Sequence, residues 1–384
     1  IISCFMKILF ILFFAASLLF QFLFGSIEIN KEKVEDDSLQ TVTISFTGDL
    51  MCHLPLIDFA RVQKDSFDFK PVFREVKKFL SSSDLTIGNL ETTIAGKENK
   101  YSGYPLFNSP DEYLDALKNA GFDILLTANN HSLDRSKKGI VRTIDKISER
   151  GMSSIGTYKS QQDRDSIRIF EINGIKLAVL AYTYGLNGNN IPKNEEFLVN
   201  VIDTNLIKND IQSARKKNAE VVLVYFHFGK EYQRKPSHFQ KEIVKHVIEY
   251  GADLIIGSHP HVIQPLEFFT SDKNKIREGI IAFSLGNFLS NQRWRYSDAG
   301  VILNLELKKN ILRDEILLSN ISIVPVWVFK GRVEKKNEFV ILPADTAQMN
   351  PLPTYLTKKD RAKLIQSFRD TRKIFSVIKD RLNL

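Results

Sequence analysis

VVLVYFHFGKEYQRKPSHFQKEIVKHVIEYGADLIIGSHPH, residues 221–261, contains a complete strand–helix–strand unit. Val221–Phe226 is a short run of β-branched and aromatic residues. Ser237–Tyr250 carries apolar residues at helical period. Gly251 stands where a helix C-terminus favours glycine, and Leu254–Ile256 is the next apolar run. Polar residues follow both strands at once: His227-Phe228-Gly229-Lys230-Glu231 after the first, Gly257-Ser258-His259-Pro260-His261 after the second.

The same alternation extends outward. Apolar runs at Val42–Thr47, Leu85–Gly88, Ile124–Thr127, Leu177–Tyr182 and Ile280–Phe283 read as strands. Val72–Leu80, Asp111–Asn119, Lys138–Glu149 and Thr204–Asn218 read as helices. Strands alternating with helices predict an α/β fold with a mostly parallel sheet and helices on its faces. After Ala299 the pattern changes: Val301–Leu307, Ile316–Pro325 and Phe339–Leu342 follow one another without helices, and a mixed-charge helix from Lys358 to about Leu382 ends the chain. We read these as extra strands packed on the main domain.

The chain has 384 residues, 43% hydrophobic and 26% charged, which suits a folded protein with a sizeable core. Its net charge is +8, with 53 basic and 45 acidic residues. A basic balance bears on association and not on fold. No arginine-rich arm or aromatic-basic alternation is present, so nucleic acid is not expected as a partner. Cys4 and Cys52 are the two cysteines, which leaves no basis for a structural disulfide or a cysteine metal knuckle.

Residues 8–25, ILFILFFAASLLFQFLFG, are apolar on every face and follow Lys7. They predict either a signal peptide, with Gly25-Ser26 as the best cleavage point, or a retained membrane anchor. Met6-Lys7 reads as a natural start. The expected organisation is a targeting segment over 1–26, a polar linker over 27–40, a main domain over 41–308 and a C-terminal part over 309–384.

In an open α/β sheet, sites form at the carboxyl ends of the strands. Five of the seven histidines, His53, His131, His227, His259 and His261, fall at or just past such an end. The other two, His238 and His246, lie in a helix and read as surface residues. Asp49, Asn89, Glu91, Asn130, Asp134 and Asn287 also follow strand ends. Imidazole with carboxylate and amide oxygen suits Zn, Mn or Fe. Asp134 is placed to cap the next helix or to orient His131 through its second nitrogen. Asn287 could donate a supporting hydrogen bond, and Lys230 with Glu231 could meet substrate. Arg293 and Arg295 flank Trp294 in a stretch that could cover the site. Cys52 reads as a buried bystander.

Six ordered segments, GDLMCH, GNLE, ANNHSLD, HFGKEY, GSHPHVIQP and SLGNF, resemble the CapA-type poly-γ-glutamate capsule-synthesis family, a branch of the calcineurin-like metallophosphoesterases. The resemblance runs from about Thr43 to Phe288. It implies a four-layer α/β/β/α sandwich holding one or two divalent ions. It further implies that Asp49, Glu91, Asn130, His227, His259 and His261 are metal ligands, and that His131, supported by Asp134, protonates the leaving group. His53 is a further candidate ligand, and Asn89, Glu231 and Asn287 are candidate substrate contacts. The sequence departs from the superfamily pattern in three places that touch the metals. His53 stands four residues after Asp49 instead of two. Glu91 replaces an aspartate and is longer by one methylene, about 1.5 Å. Ser258 stands where a further histidine is common.

The implied function is a metal-dependent hydrolase or transferase in envelope-polymer biosynthesis, outside the cytoplasm, acting on an anionic polymer or a phosphoester, in company with a membrane polymer synthase. Two other readings stay open: a non-catalytic polymer-binding or scaffold subunit, and a periplasmic metallophosphatase.

Overall fold

The structure is a computed structural model that describes residues 38–271, 274–349 and 351–376. The apolar run at 8–25 lies outside the described residues, as do residues 377–384, where the helix expected from Lys358 to about Leu382 would finish. Among the described residues no helix is long and apolar enough to cross a membrane.

Two sheets pack face to face. The first contains β1 (Leu39–Leu50), β2 (Leu85–Leu90), β3 (Ile124–Leu126) and β4 (Ser153–Ile155), all parallel, with α1 (Leu54–Ala60), α2 (Glu112–Ala120) and α3 (Ser136–Ser148) between them. The second begins with the hairpin β5 (Ile169–Ile172) and β6 (Ile175–Thr183). It continues through α4 (Thr204–Lys216), β7 (Val221–His227), α5 (His238–Tyr250), β8 (Leu254–Ser258), β9 (Leu266–Thr270) and β10 (Glu278–Ala282), in the order β9-β10-β8-β7-β6-β5. The chain then returns to the first sheet. β11 (Asn287–Leu289) pairs with β1, and β12 (Ala299–Asn310), β13 (Glu315–Val333) and β14 (Lys336–Pro343) extend that sheet antiparallel beyond β1. α6 (Lys358–Ile374) packs over β13 and β14, with Leu364 in one cluster with Trp327, Phe329, Val340 and Leu342.

Strand period explains the layers. Along β6, Leu177, Val179 and Ala181 point to a core shared with Val42, Ile44 and Phe46 of β1. Ala178, Leu180 and Tyr182, one residue out of phase, pack on Ile207 and Ile211 of α4 and on Val244 and Val247 of α5. The far side of the first sheet is covered by Leu56 and Ile57 of α1 and Leu114 and Leu117 of α2. Helices therefore lie outside both sheets, which is the α/β/β/α arrangement. The alternation of elements taken alone had suggested one sheet. It specifies right-handed parallel crossovers, but not which sheet a strand joins.

One predicted helix is not continuous. Val72–Leu80 forms a 3₁₀ turn at Lys70–Phe73 and one α-turn at Lys77–Leu80. Phe73, Val76 and Leu80 are buried together all the same. Apolar spacing set which side chains go inward, and two separate turns meet that demand as well as one helix.

Candidate metal centre

β1, β2, β3, β7 and β8 end at the same edge of the sandwich, and the facing sheets bring their terminal residues together. Asp49 sits at the end of β1 because the chain there runs tight against the 285–287 turn. A Cβ on Gly48 would fall 1.8 Å from the Gly286 carbonyl oxygen, so only glycine fits. The Asp49 N–H donates to that same oxygen at 3.0 Å. Fully buried, the Asp49 carboxylate accepts from Asn89 Nδ2 at 2.8 Å on one oxygen and lies 3.2 Å from His261 Nδ1 on the other.

His227, at the end of β7, is held from both sides. Its Nε2 lies 2.9 Å from Asn130 Oδ1 and its Nδ1 lies 3.2 Å from Asn89 Nδ2. Only a neutral ring with its proton on Nε2 satisfies both contacts, since an amide oxygen accepts and an amide nitrogen donates. His259 and His261 both take left-handed backbone, with φ of 98° and 56°. Such residues cost of order 1–3 kcal/mol each, and here they turn both imidazoles into the cluster.

Glu91, on the turn after β2, is the outlier. It is fully buried, and neither carboxylate oxygen has a hydrogen-bond donor. His227 Nε2 lies 3.6 Å away and His261 Nε2 3.9 Å. Burial, and then the adjacent Asp49 charge, push the Glu91 carboxyl well above the usual carboxylate range. Burial pushes His227 well below the usual imidazole range and His259 down to about 3, with the neighbouring imidazoles adding to the effect. A buried carboxylate without donors is expensive, and imidazole nitrogens that gave up their present amide contacts would offer lone pairs beside it. That combination fits a divalent cation.

Two groups of ligand atoms could hold one. Asp49, Glu91 and His227 bring such atoms within 4.8 Å of one another, all buried. Glu231, His259 and His261 do the same nearer the surface, with Glu231 exposed. The residues fit one or two ions.

His131 stands beside this cluster. Its Nδ1 donates to Asp134 Oδ2 at 2.8 Å, and Asp134 also accepts the Phe107 N–H at 2.7 Å. The ring packs edge-on to Phe107, and its Nε2 faces Asn187 Nδ2 at 3.5 Å. Nε2 is therefore the atom available for proton exchange.

Three expected placements differ. His53 joins neither ligand group. It is the N-cap residue of α1, where its Nδ1 accepts the Asn291 N–H at 3.3 Å and its ring meets Phe107 edge-on. Burial lowers its pKa to about 4. The four-residue spacing from Asp49 carries it past the strand end. Asn89 and Asn287 are fully buried and present no surface to a substrate. Asn89 bridges Asp49 and His227, while Asn287 places Oδ1 3.1 Å from His261 Nδ1. Glu231 is exposed, as a substrate contact would be, and also completes the outer ligand group. His238 and His246 lie on the exposed face of α5.

Three residues passed over in the sequence belong here. Asn129 donates to the Leu90 carbonyl at 2.9 Å and to Asn89 Oδ1 at 3.3 Å. Asn187 accepts from Asn130 Nδ2 at 3.0 Å. The Tyr184 ring lies 4.4 Å from His259. Tyr184 and Asn187 follow β6, so their signal in the sequence is the same as for the other site residues, a position just past a strand end.

The model of the family described as "Bacterial capsule synthesis protein PGA_cap" matches residues 43–292. Capsule biosynthesis protein CapA of Bacillus anthracis is 30% identical over 278 residues, 71% of this chain and 65% of its own length. PGA biosynthesis protein CapA of Bacillus subtilis (strain 168) is 28% identical over 306 residues, 76% of this chain and 74% of its own. Solved structures that resemble the chain include a phosphatase from Mycoplasma pneumoniae, at a TM-score of 0.46 and 14% identity, covering 75% of this chain and 94% of that one. They also include the calcineurin-like phosphoesterase YfkN of Bacillus subtilis, at 0.43 and 12%, covering 87% and 98%.

Proposed function

The chain belongs to the bacterial capsule synthesis family, and on that premise we propose that it is a metal-dependent hydrolase or transferase. It acts at the cell envelope on an anionic polymer or on a phosphoester related to one. The observation that supports this most is Glu91: a fully buried carboxylate with no donor, beside Asp49 and the imidazoles of His227 and His261. Without a cation the arrangement is costly; with one it is a ligand set.

In this reading Asp49, Glu91, Asn130, His227, His259 and His261 hold the ion or ions, and Glu231 joins them at the rim. A bound divalent ion supplies Lewis-acid polarisation of a phosphoryl or acyl oxygen and lowers the pKa of water towards about 7. The rest falls to the protein's own groups. Asn89 fixes the orientation of Asp49 and His227 through its amide. Asp134 holds the His131 ring by Nδ1, so that Nε2 can pass a proton to the leaving group. Asn187 and Asn130 position each other beside that nitrogen. A membrane tether at residues 8–25 would keep this chemistry near an envelope polymer and its synthase.

The test is metal analysis of protein purified without chelators, alongside release of phosphate from phosphoesters and cleavage of polyglutamate. Stoichiometric Mn, Fe or Zn, lost in Glu91→Gln, is expected. Trace metal only, with no activity on adding these ions, leaves the polymer-binding scaffold in its place.

A further inference from the structure

The mouth of the centre carries aromatic rings on several loops, and one pair of them is built into the ligand set. Tyr232 follows β7 and Trp294 follows β11; they are 41% and 51% exposed. Their rings meet at 5.4 Å with 60° between the planes, and the Tyr232 ring lies 6.0 Å from His261.

Tyr232 is held at both ends. Its backbone N–H donates to the Pro260 carbonyl at 2.7 Å, within the His-Pro-His turn. Its hydroxyl accepts from Gln292 Nε2 at 3.2 Å. Gln292 Oε1 in turn accepts from Asn287 Nδ2 at 3.0 Å, and Asn287 Oδ1 lies 3.1 Å from His261 Nδ1. A continuous line of amides thus registers the exposed ring to a candidate ligand. A left-handed φ of 63° at Tyr232, unusual for a bulky residue, turns the ring into this place.

The charges around the pair are of both signs. Glu231, the adjacent residue, presents an exposed carboxylate. Arg295 is committed to Asp370 by two contacts of 2.8 and 2.7 Å, and Arg293 lies over the Trp327 ring. Lys230, Arg234 and Lys235 are the cations on the Tyr232 loop, and Arg234 lies over the Tyr296 ring. Rigid exposed aromatic faces bind flat rings by stacking, with little loss of side-chain freedom.

We propose that Tyr232 and Trp294 form a subsite for a ring with a face that stacks on aromatics, a sugar or a nucleobase, borne by the molecule that reacts at the metal centre. This deepens the hydrolase reading and rests on it for the identity of the reacting group. The subsite itself is read separately, by fluorescence. Trp294 and Trp327 are the two tryptophans, and Trp327 is fully buried. In the metal-loaded full chain carrying Trp327→Phe, Trp294 emission is titrated with α-glucose 1-phosphate, uridine 5′-monophosphate and ringless glycerol 3-phosphate. In the unsubstituted chain, protection of emission from iodide quenching gives the same information should Trp327→Phe fold poorly.

One ringed ester is expected to change the emission and to protect it, with glycerol 3-phosphate doing neither; the responding arm tells sugar from base. Trp294→Ala should lower the ratio of kcat/KM for that ester over glycerol 3-phosphate by about tenfold, through KM. No response to either ringed ester, or an equal response to glycerol 3-phosphate, overturns the subsite while leaving hydrolysis intact. An emission response without phosphate release from any ester supports the subsite and overturns the phosphoester arm of the hydrolase reading instead.

Discussion

The two ligand groups of the centre differ in depth. Asp49, Glu91 and His227 are fully buried, and Glu91 has no protein partner for either oxygen. In the second group His259 and His261 are buried as well, and only the Glu231 carboxylate is exposed, where water can satisfy it. On the proposed function, the buried Glu91 carboxylate is the one that calls for a cation, while the exposed Glu231 carboxylate tolerates its absence. Ligands at the rim can therefore be exchanged or lost at smaller consequence than those within.

Glu91→Gln should break this contrast most severely. We expect loss of inner-site metal and of activity by at least about 10³-fold, on the scale of removing a centre's main electrostatic term. Without metal the same variant should be as stable as the unsubstituted chain or more so, by about 1–3 kcal/mol at a pH above the raised Glu91 pKa, where a buried charge is replaced by a neutral isostere. Thermal melts with and without chelator measure both. A marked loss of metal-free stability would show that Glu91 is satisfied by the protein alone.

His131→Ala should lower turnover by about 10²–10⁴-fold with the metal retained. The deficit should shrink for an ester whose leaving group needs no proton, such as p-nitrophenolate. An equal deficit on both esters would remove His131 from the acid role. Glu231→Gln should act on the outer position only, weakening one ion by roughly ten- to a hundredfold, the range found for a supporting partner of a metal site. Titration calorimetry resolving two sites would show it. Equal loss at both sites would mean that the two groups are one.

Acid should destabilise the metal-free chain through the buried imidazoles. His259 and His53 have folded pKa values lowered to about 3 and about 4, from 6.5. Between about 6.5 and those values the unfolded chain binds more protons, so stability is complete above about 6.5 and falls as pH drops below it. Glu91 works in the opposite sense, since its raised pKa contributes stability that fades as pH rises. Melts in chelator from pH 7 to 4 should show a falling midpoint. A flat profile in the Glu91→Gln background, where that opposing contribution is absent, would mean that these imidazoles are solvated. The smallest effect should come from His238→Ala, with its side chain 85% exposed on α5, which should leave stability within about 0.5 kcal/mol.

Much of the centre was legible one strand end at a time. Asp49, Glu91, Asn130, His131, His227, His259 and His261 were named from their places after apolar runs, and the structure brings all seven into one neighbourhood. His53 was not separable from them, because a spacing of four residues does not say how far the strand runs on. Asn89 and Asn287 were named but their burial was not, since nothing local distinguishes an amide facing substrate from one facing a ligand. Asn187 and Tyr184 were missed because they carry no motif of their own.

The sequence by itself determined the elements and the chemistry at their ends. Strand period, helix period and terminal glycines are local properties, set by backbone sterics and the burial of one face. Tertiary structure decided how those ends meet. The division into two sheets presses Asp49 and Glu91 of the first against His227, His259 and His261 of the second, joining residues as far apart as 212 positions in the Asp49–His261 contact. No local pattern encodes such a pairing, because it arises only when both inner faces bury the same core. The same packing strips Glu91 of water and leaves Glu231 in it, and that difference, invisible in the sequence, divides the centre into a committed inner site and an adjustable outer one.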